Sequence, residues 1–198
     1  MPLVTLKHIL KNEITDCAPI TAGKAVLLEP QNPEGTSTLR SVTIVGLPSK
    51  TLILDADKMS VALFREKDDF CQCHAASRYR KKCDYIIVTE LEQQDYILYI
   101  EMKTSPRDKK HIMQLWCGRC LMEYLNFAMA NLEQIVPHSG HFEHRFVKFC
   151  RVPIDKETTG LQEDYKNNDE PKEKNDKPAK AYKYFVTEGI PVQLKKLL

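Results

Sequence analysis

The sequence has no apolar run approaching the length of a membrane span, which argues against a chain that crosses a bilayer by helices. Its first residues, Met-Pro-Leu-Val-Thr-Leu-Lys, lack the long apolar core of a secretory signal. It has little charge imbalance: a net charge of +2 gives no global basic field to announce nucleic acid, so any such partner needs a local cluster. It has no internal repeat, and its seven cysteines are odd in number and follow no repeating frame. Reduced thiols in a cytoplasmic setting fit that pattern better than a disulfide scaffold. What is present is ordinary for a globular domain: 198 residues, 42% apolar and 28% charged, enough to bury one sizeable core.

The informative stretch runs from Lys82 to Leu125. Asp84 opens an apolar, β-branched run (Tyr85-Ile86-Ile87-Val88), a polar break follows at Glu92-Gln93-Gln94, and a second run, Tyr96 to Ile100, ends in Glu101-Met102-Lys103. Two such runs around a short break predict a β-hairpin. With the turn centred near residue 93, paired numbers sum to about 186, which sets Asp84 opposite Met102, between Glu101 and Lys103. Glu101 and Lys103 leave one face together because strand side chains alternate. Two carboxylates and an ammonium in one patch suit metal-assisted attack on phosphate. Carboxylates hold Mg2+ or Mn2+, the ion lowers the pKa of a bound water, and a lysine orients that water or offsets developing charge.

Before this hairpin, Asp57 is expected to cap a helix whose Met59, Ala62, Leu63, Glu66 and Phe70 share a face. Glu66 then interrupts an apolar stripe, and a carboxylate there demands a partner unless the helix is differently phased. Phe70 to His74 alternates and reads as the first strand of the core sheet. The run Arg78-Tyr79-Arg80-Lys81-Lys82 is either a solvated turn or a phosphate-binding lip with a tyrosine for stacking. Arg107, in the polar loop after Lys103, joins this group as a nucleic-acid contact. A helix is predicted over about 109–130, with Gln114, Cys117, Gly118, Leu121, Leu125 and Ala128 on one face. Gln114 is its polar exception and lies near the end of the Glu-x-Lys strand.

Asp84 on one strand and Glu101-x-Lys103 on the next resemble the motif of the PD-(D/E)xK nuclease superfamily, which has the restriction-endonuclease-like fold. Cys83 stands where the motif's proline would be. The resemblance covers roughly residues 57–152. It implies an α/β domain whose central mixed β-sheet is flanked by helices near 58–69 and 109–130, with an N-terminal decoration. It implies Asp84, Glu101 and Glu66 as Mg2+ ligands, Mn2+ substituting, with Lys103 positioning the water. Glu66 matches the first-helix acid of several branches, and Gln114 is similar to the Gln motif of the RecB-like and exonuclease branches. DNA is preferred over RNA on the resemblance alone, and a small nuclease without a recognition domain would act with a partner subunit or as a homodimer.

The boundaries expected are 1–56 for a decorating segment packed on the core and 57–154 for the nuclease core. A mobile charged loop over 155–181 and a C-terminal strand and tail over 182–198 complete the same domain. Two rival readings stand beside the nuclease. One is a non-catalytic nucleic-acid- or protein-binding subunit on the same fold. The other is a zinc-stabilised binding module, raised by Cys71, Cys73, Cys117, Cys120, His138, His141 and His144.

Overall fold

Short β-branched and aromatic runs separated by turn residues fold here into two mixed sheets. The computed structural model describes Leu10, Thr15 and residues 17–28, 39–59, 82–103, 110–131, 142–151, 174–186 and 190–198. Strands β1 (Lys24–Leu28), β2 (Ser41–Val45) and β8 (Val192–Gln193) form a three-stranded sheet in the order β1-β2-β8, its first pair antiparallel and its second parallel. The larger sheet takes β3 (Thr51–Asp55), β4 (Tyr85–Leu91), β5 (Gln94–Lys103), β6 (Glu143–Arg151) and β7 (Tyr182–Val186), in chain order. Pairing is antiparallel from β3 to β5 and parallel from β5 to β7. A parallel step needs a crossover, and helix α1 (His111–Asn131) supplies it between β5 and β6.

Central strands buried on both faces read as continuous apolar runs rather than alternating ones, which is why Tyr85 to Thr89 are all buried. One face of the large sheet (Ile53, Ile87, Leu98, Ile100, Val147, Phe149) packs on Ala25, Leu27, Val42 and Ile44 of the small sheet. The other face (Ile86, Val88, Ile97, Tyr99, Phe146) packs on Leu115, Leu121, Met122, Leu125 and Met129 of α1. The chain is thus mixed α/β with the hairpin inside the large sheet, as expected. Of the two expected flanking helices, that over about 109–130 is α1, and that near 58–69 lies outside the described residues beyond Met59; the small sheet covers the face opposite α1. No helix among the described residues is long and apolar enough to cross a membrane.

Several local expectations shift. The place beside β4 belongs to β3, whose Ile53 pairs with Ile87, so the large sheet begins before residue 57; Phe70 to His74 lie outside the described residues. Residues 56–59 are helical, and the expected continuation to 69 also lies outside them. Asp55, not Asp57, caps that turn: its Oδ1 accepts the Lys58 N–H at 2.9 Å. The charged stretch 155–181 is described only from Lys174, and there it is anchored. Asn175 is buried, its Nδ2 donates to the carbonyls of Phe146 and Leu197 at 3.2 and 3.3 Å, and its own carbonyl accepts the Phe146 N–H. Pro178 is buried as well.

Candidate active site at the end of the hairpin

The hairpin closes through Glu92 and Gln93, both with positive φ (52° and 66°), between the paired residues Leu91 and Gln94. This two-residue turn has the handedness that matches strand twist. It sets the register one residue away from the expected one: Tyr85 pairs with Ile100. The Asp84 N–H donates to the Ile100 carbonyl at 2.9 Å, which continues the ladder and brings Asp84 opposite Glu101. One residue of register decides the face. Directly opposed side chains of an antiparallel pair leave the same side, so this register gathers Asp84 with Glu101 and Lys103.

Asp84 Oδ2 accepts the Met102 N–H at 2.6 Å and holds the two strand ends together. Glu101 is fully buried. Its Oε1 forms an ion pair with Lys103 Nζ, while Oε2 has no hydrogen-bond partner among the described residues. Burial, and then the charge of Asp84, push the Glu101 carboxyl from its ordinary 4.5 up to about 9, against the opposing pull of Lys103. A group in this state holds a proton at neutral pH even beside Lys103, unless a further cation such as a metal ion reaches it. Behind it, Cys83 is buried, with its thiol pushed well up by burial and by Glu101, Asp84 and Asp57. Helix α1 approaches closely because residue 118 is glycine: a Cβ there would run into Cys83 Sγ and lie 3.3 Å from Tyr99 Cδ1.

Gln114 reaches this end of the sheet, though not the carboxylates. Its Nε2 donates to the Lys82 carbonyl at 3.3 Å, two residues before Asp84, so it steadies the entry to β4. Lys82 is half-buried. Glu66, Arg78, Tyr79, Arg80, Lys81 and Arg107 lie outside the described residues, so the third expected ligand and most of the expected basic lip have no placement.

Two further residues belong to this site and were not singled out for it from the sequence. Asp57, released from the capping role, has its carboxyl raised by burial and by Asp55 and lowered by Lys82 and Lys103, whose charges lie near it. Lys148 is fully buried on β6, in register with Glu101 across the parallel pair, and its Nζ lies 3.4 Å from Nδ1 of buried His111 at the start of α1. The signal for Lys148 was legible: a lysine inside the apolar alternation Phe146-Val147-Lys148-Phe149 must bury its amine or break the strand.

Oxygen donors and a buried Glu101 Oε2 with no partner among the described residues fit a hard divalent cation. Among the described residues, however, no three His, Cys, Asp or Glu side chains converge closely enough to cage a metal. The zinc expectation finds no such group there either. Cys117 is buried while Cys120 is exposed, and His144 stacks on Tyr99, sharing a 3.0 Å hydrogen bond between Nδ1 and the tyrosine hydroxyl. Cys71, Cys73, His138 and His141 lie outside the described residues. Comparison of the chain with protein-family models, with curated proteins and with solved structures finds no match.

Proposed function

We propose that the chain is a metal-dependent nuclease with a restriction-endonuclease-like core, hydrolysing phosphodiester bonds, DNA in preference to RNA. The observation that carries the reading is Glu101: a fully buried carboxylate, held by Lys103, opposite Asp84, with one oxygen left without a partner among the described residues. Such a group is costly in a folded chain unless a ligand compensates it. The strand sequence supports the same reading, with an antiparallel β3-β4-β5 meander, a helical crossover and a parallel β6. In this reading Asp84 and Glu101 hold Mg2+, with Mn2+ substituting, and Glu66 is a further ligand. The ion supplies Lewis acidity and an activated water.

The chain's own residues then divide the remaining work. Lys103 orients the nucleophile and offsets developing charge. Gln114 holds the backbone of Lys82 so that Asp84 enters β4 at a fixed place. Arg78, Tyr79, Arg80, Lys81, Lys82 and Arg107 contact the nucleic-acid backbone. The described cysteines (17, 83, 117, 120 and 150) are all free thiols, which suits a reducing, cytoplasmic setting.

The test is incubation of the purified protein with single- and double-stranded DNA and RNA, with Mg2+, with Mn2+ or with EDTA. Cleavage that requires the ion and stops in EDTA is expected; cleavage persisting in chelator, in a preparation free of contaminant, refutes the reading. The second reading is a non-catalytic binding subunit on the same fold. It is favoured by the use of Asp84 Oδ2 on the Met102 N–H, a structural task that needs no chemistry. Nucleic-acid binding without cleavage under every ion would select it.

A further inference from the structure

Helix α1 is apolar on both sides, although only one side has the sheet to cover it. Leu115, Gly118, Met122, Leu125 and Met129 are buried on the sheet side. On the outer side Met113, Trp116, Tyr124 and Phe127 are 43, 44, 42 and 64% exposed, and Cys120 in their midst is exposed too. A surface helix normally carries charge there, and a contiguous apolar stripe marks an interaction face.

The spacing says what fits it. The five residues step by three, four, four and three, so the stripe reads the same from either end, with Cys120 at its middle. At about 100° per residue all five lie within roughly 40° of Cys120, along about 21 Å of helix. Steps of three and four are those of helices that pair along a seam. A seam symmetric about its own centre is what a two-fold axis requires, since each residue must face its mirror position in the sequence. With the axis at Cys120, Met113 meets the partner subunit's Phe127, and Trp116 meets the partner subunit's Tyr124. Charge agrees with this arrangement. Arg119 and Glu123 share one flank of the stripe, bonded to each other at 2.7 Å with Arg119 over Trp116. An antiparallel two-fold puts the same flanks side by side, so Arg119 comes beside Glu123 of the partner subunit. Nucleic acid suits the stripe poorly, because Arg119, the cation at its middle, is tied to a carboxylate.

We infer that the outer face of α1 seats a second copy of this chain, the two helices antiparallel about a two-fold axis at Cys120. Four side chains of about 200 Å2 each, roughly half exposed, contribute on the order of 400 Å2 per copy. A standard interface buries about 800 Å2 per partner, so the pair is reversible rather than permanent. The inference does not rest on the nuclease reading.

Sedimentation equilibrium of the full chain under reducing conditions should show a concentration-dependent dimer in the wild type and in Cys120→Ser. Phe127→Lys, at a position already mostly exposed, should shift the chain to monomer with its melting temperature unchanged. Mild oxidation should link the wild type into a disulfide dimer through Cys120. Cys120→Ser should abolish the link, and Phe127→Lys should slow it at least tenfold. A wild-type chain that stays monomeric at every concentration overturns the inference, as does a Cys120 link that forms equally fast in Phe127→Lys.

Discussion

Glu101→Gln should make the metal-free protein more stable near neutral pH, although it removes the acid that faces Lys103. In the folded state burial and Asp84 hold the Glu101 carboxyl at about 9, against 4.5 ordinarily. At pH 7 it is therefore protonated when folded and ionised when unfolded, so the native state binds more protons and stability falls as pH rises. The stability present below about pH 4.5 is lost progressively up to about pH 9. At 1.36 kcal/mol per pH unit, the loss reached at pH 7 is about 3 kcal/mol. Glutamine keeps the shape of the neutral acid and escapes this loss. For a chain of this size the gain corresponds to roughly 6–12 °C in melting temperature. The assay is thermal or urea unfolding of both proteins between pH 5 and 9 in EDTA, repeated with Mg2+. The wild type should lose stability across that range and the variant should be flatter. Mg2+ should raise the wild type and leave the variant unmoved, because a cation relieves the buried charge. A Glu101→Gln protein less stable than the wild type at pH 7 in EDTA would mean that the Lys103 pair outweighs desolvation, and the reasoning fails.

Asp84→Asn keeps an oxygen to accept the Met102 N–H, and Lys103→Ala leaves both carboxylates, so each should fold; each should lose cleavage by two or more powers of ten, roughly 3 kcal/mol of barrier. Folded variants that cut at the wild-type rate remove both residues from the active site. Gly118→Ala should destabilise the fold by up to about 2 kcal/mol in urea unfolding, since overpacking of about 1–3 kcal/mol against Cys83 outweighs the ~1 kcal/mol of helix propensity gained. Cys83→Ala, by removing the sulfur, should restore most of that loss in the double variant, and no restoration would place the strain elsewhere. Gln93→Gly should stabilise by about 1 kcal/mol, because a side chain at positive φ is strained and glycine is not; an unchanged melting temperature would argue against the two-residue turn.

Much of the candidate site was legible because its signals are local. An acid at the head of a β-branched run, a Glu-x-Lys at the tail of the next and a glutamine opening an apolar helix each follow from short-range pattern. What differed has a local cause in two places and a long-range cause in the third. The register was off by one residue because Glu92 and Gln93 carry no glycine or asparagine to advertise positive φ. Asp55 performs the capping role expected of Asp57, since two acids two residues apart compete for one helix start. The place of Lys148 is not legible locally because Glu101, its register neighbour across the sheet, and His111 on the helix are distant in sequence.

The sequence by itself determined the hairpin and the crossover helix, since β-branched apolar runs around a polar break and a period-3.6 pattern are properties of short stretches. It also determined the symmetric stripe on α1, which is a property of one helix. Only the tertiary structure decided that the N-terminal strands and β8 form a second sheet on one face, because pairing between strands far apart in the chain leaves no periodicity to read. It alone decided the state of Glu101. The sequence supplies a carboxylate, but the desolvation that moves its proton comes from the strands packed on either side and the helix lying across them.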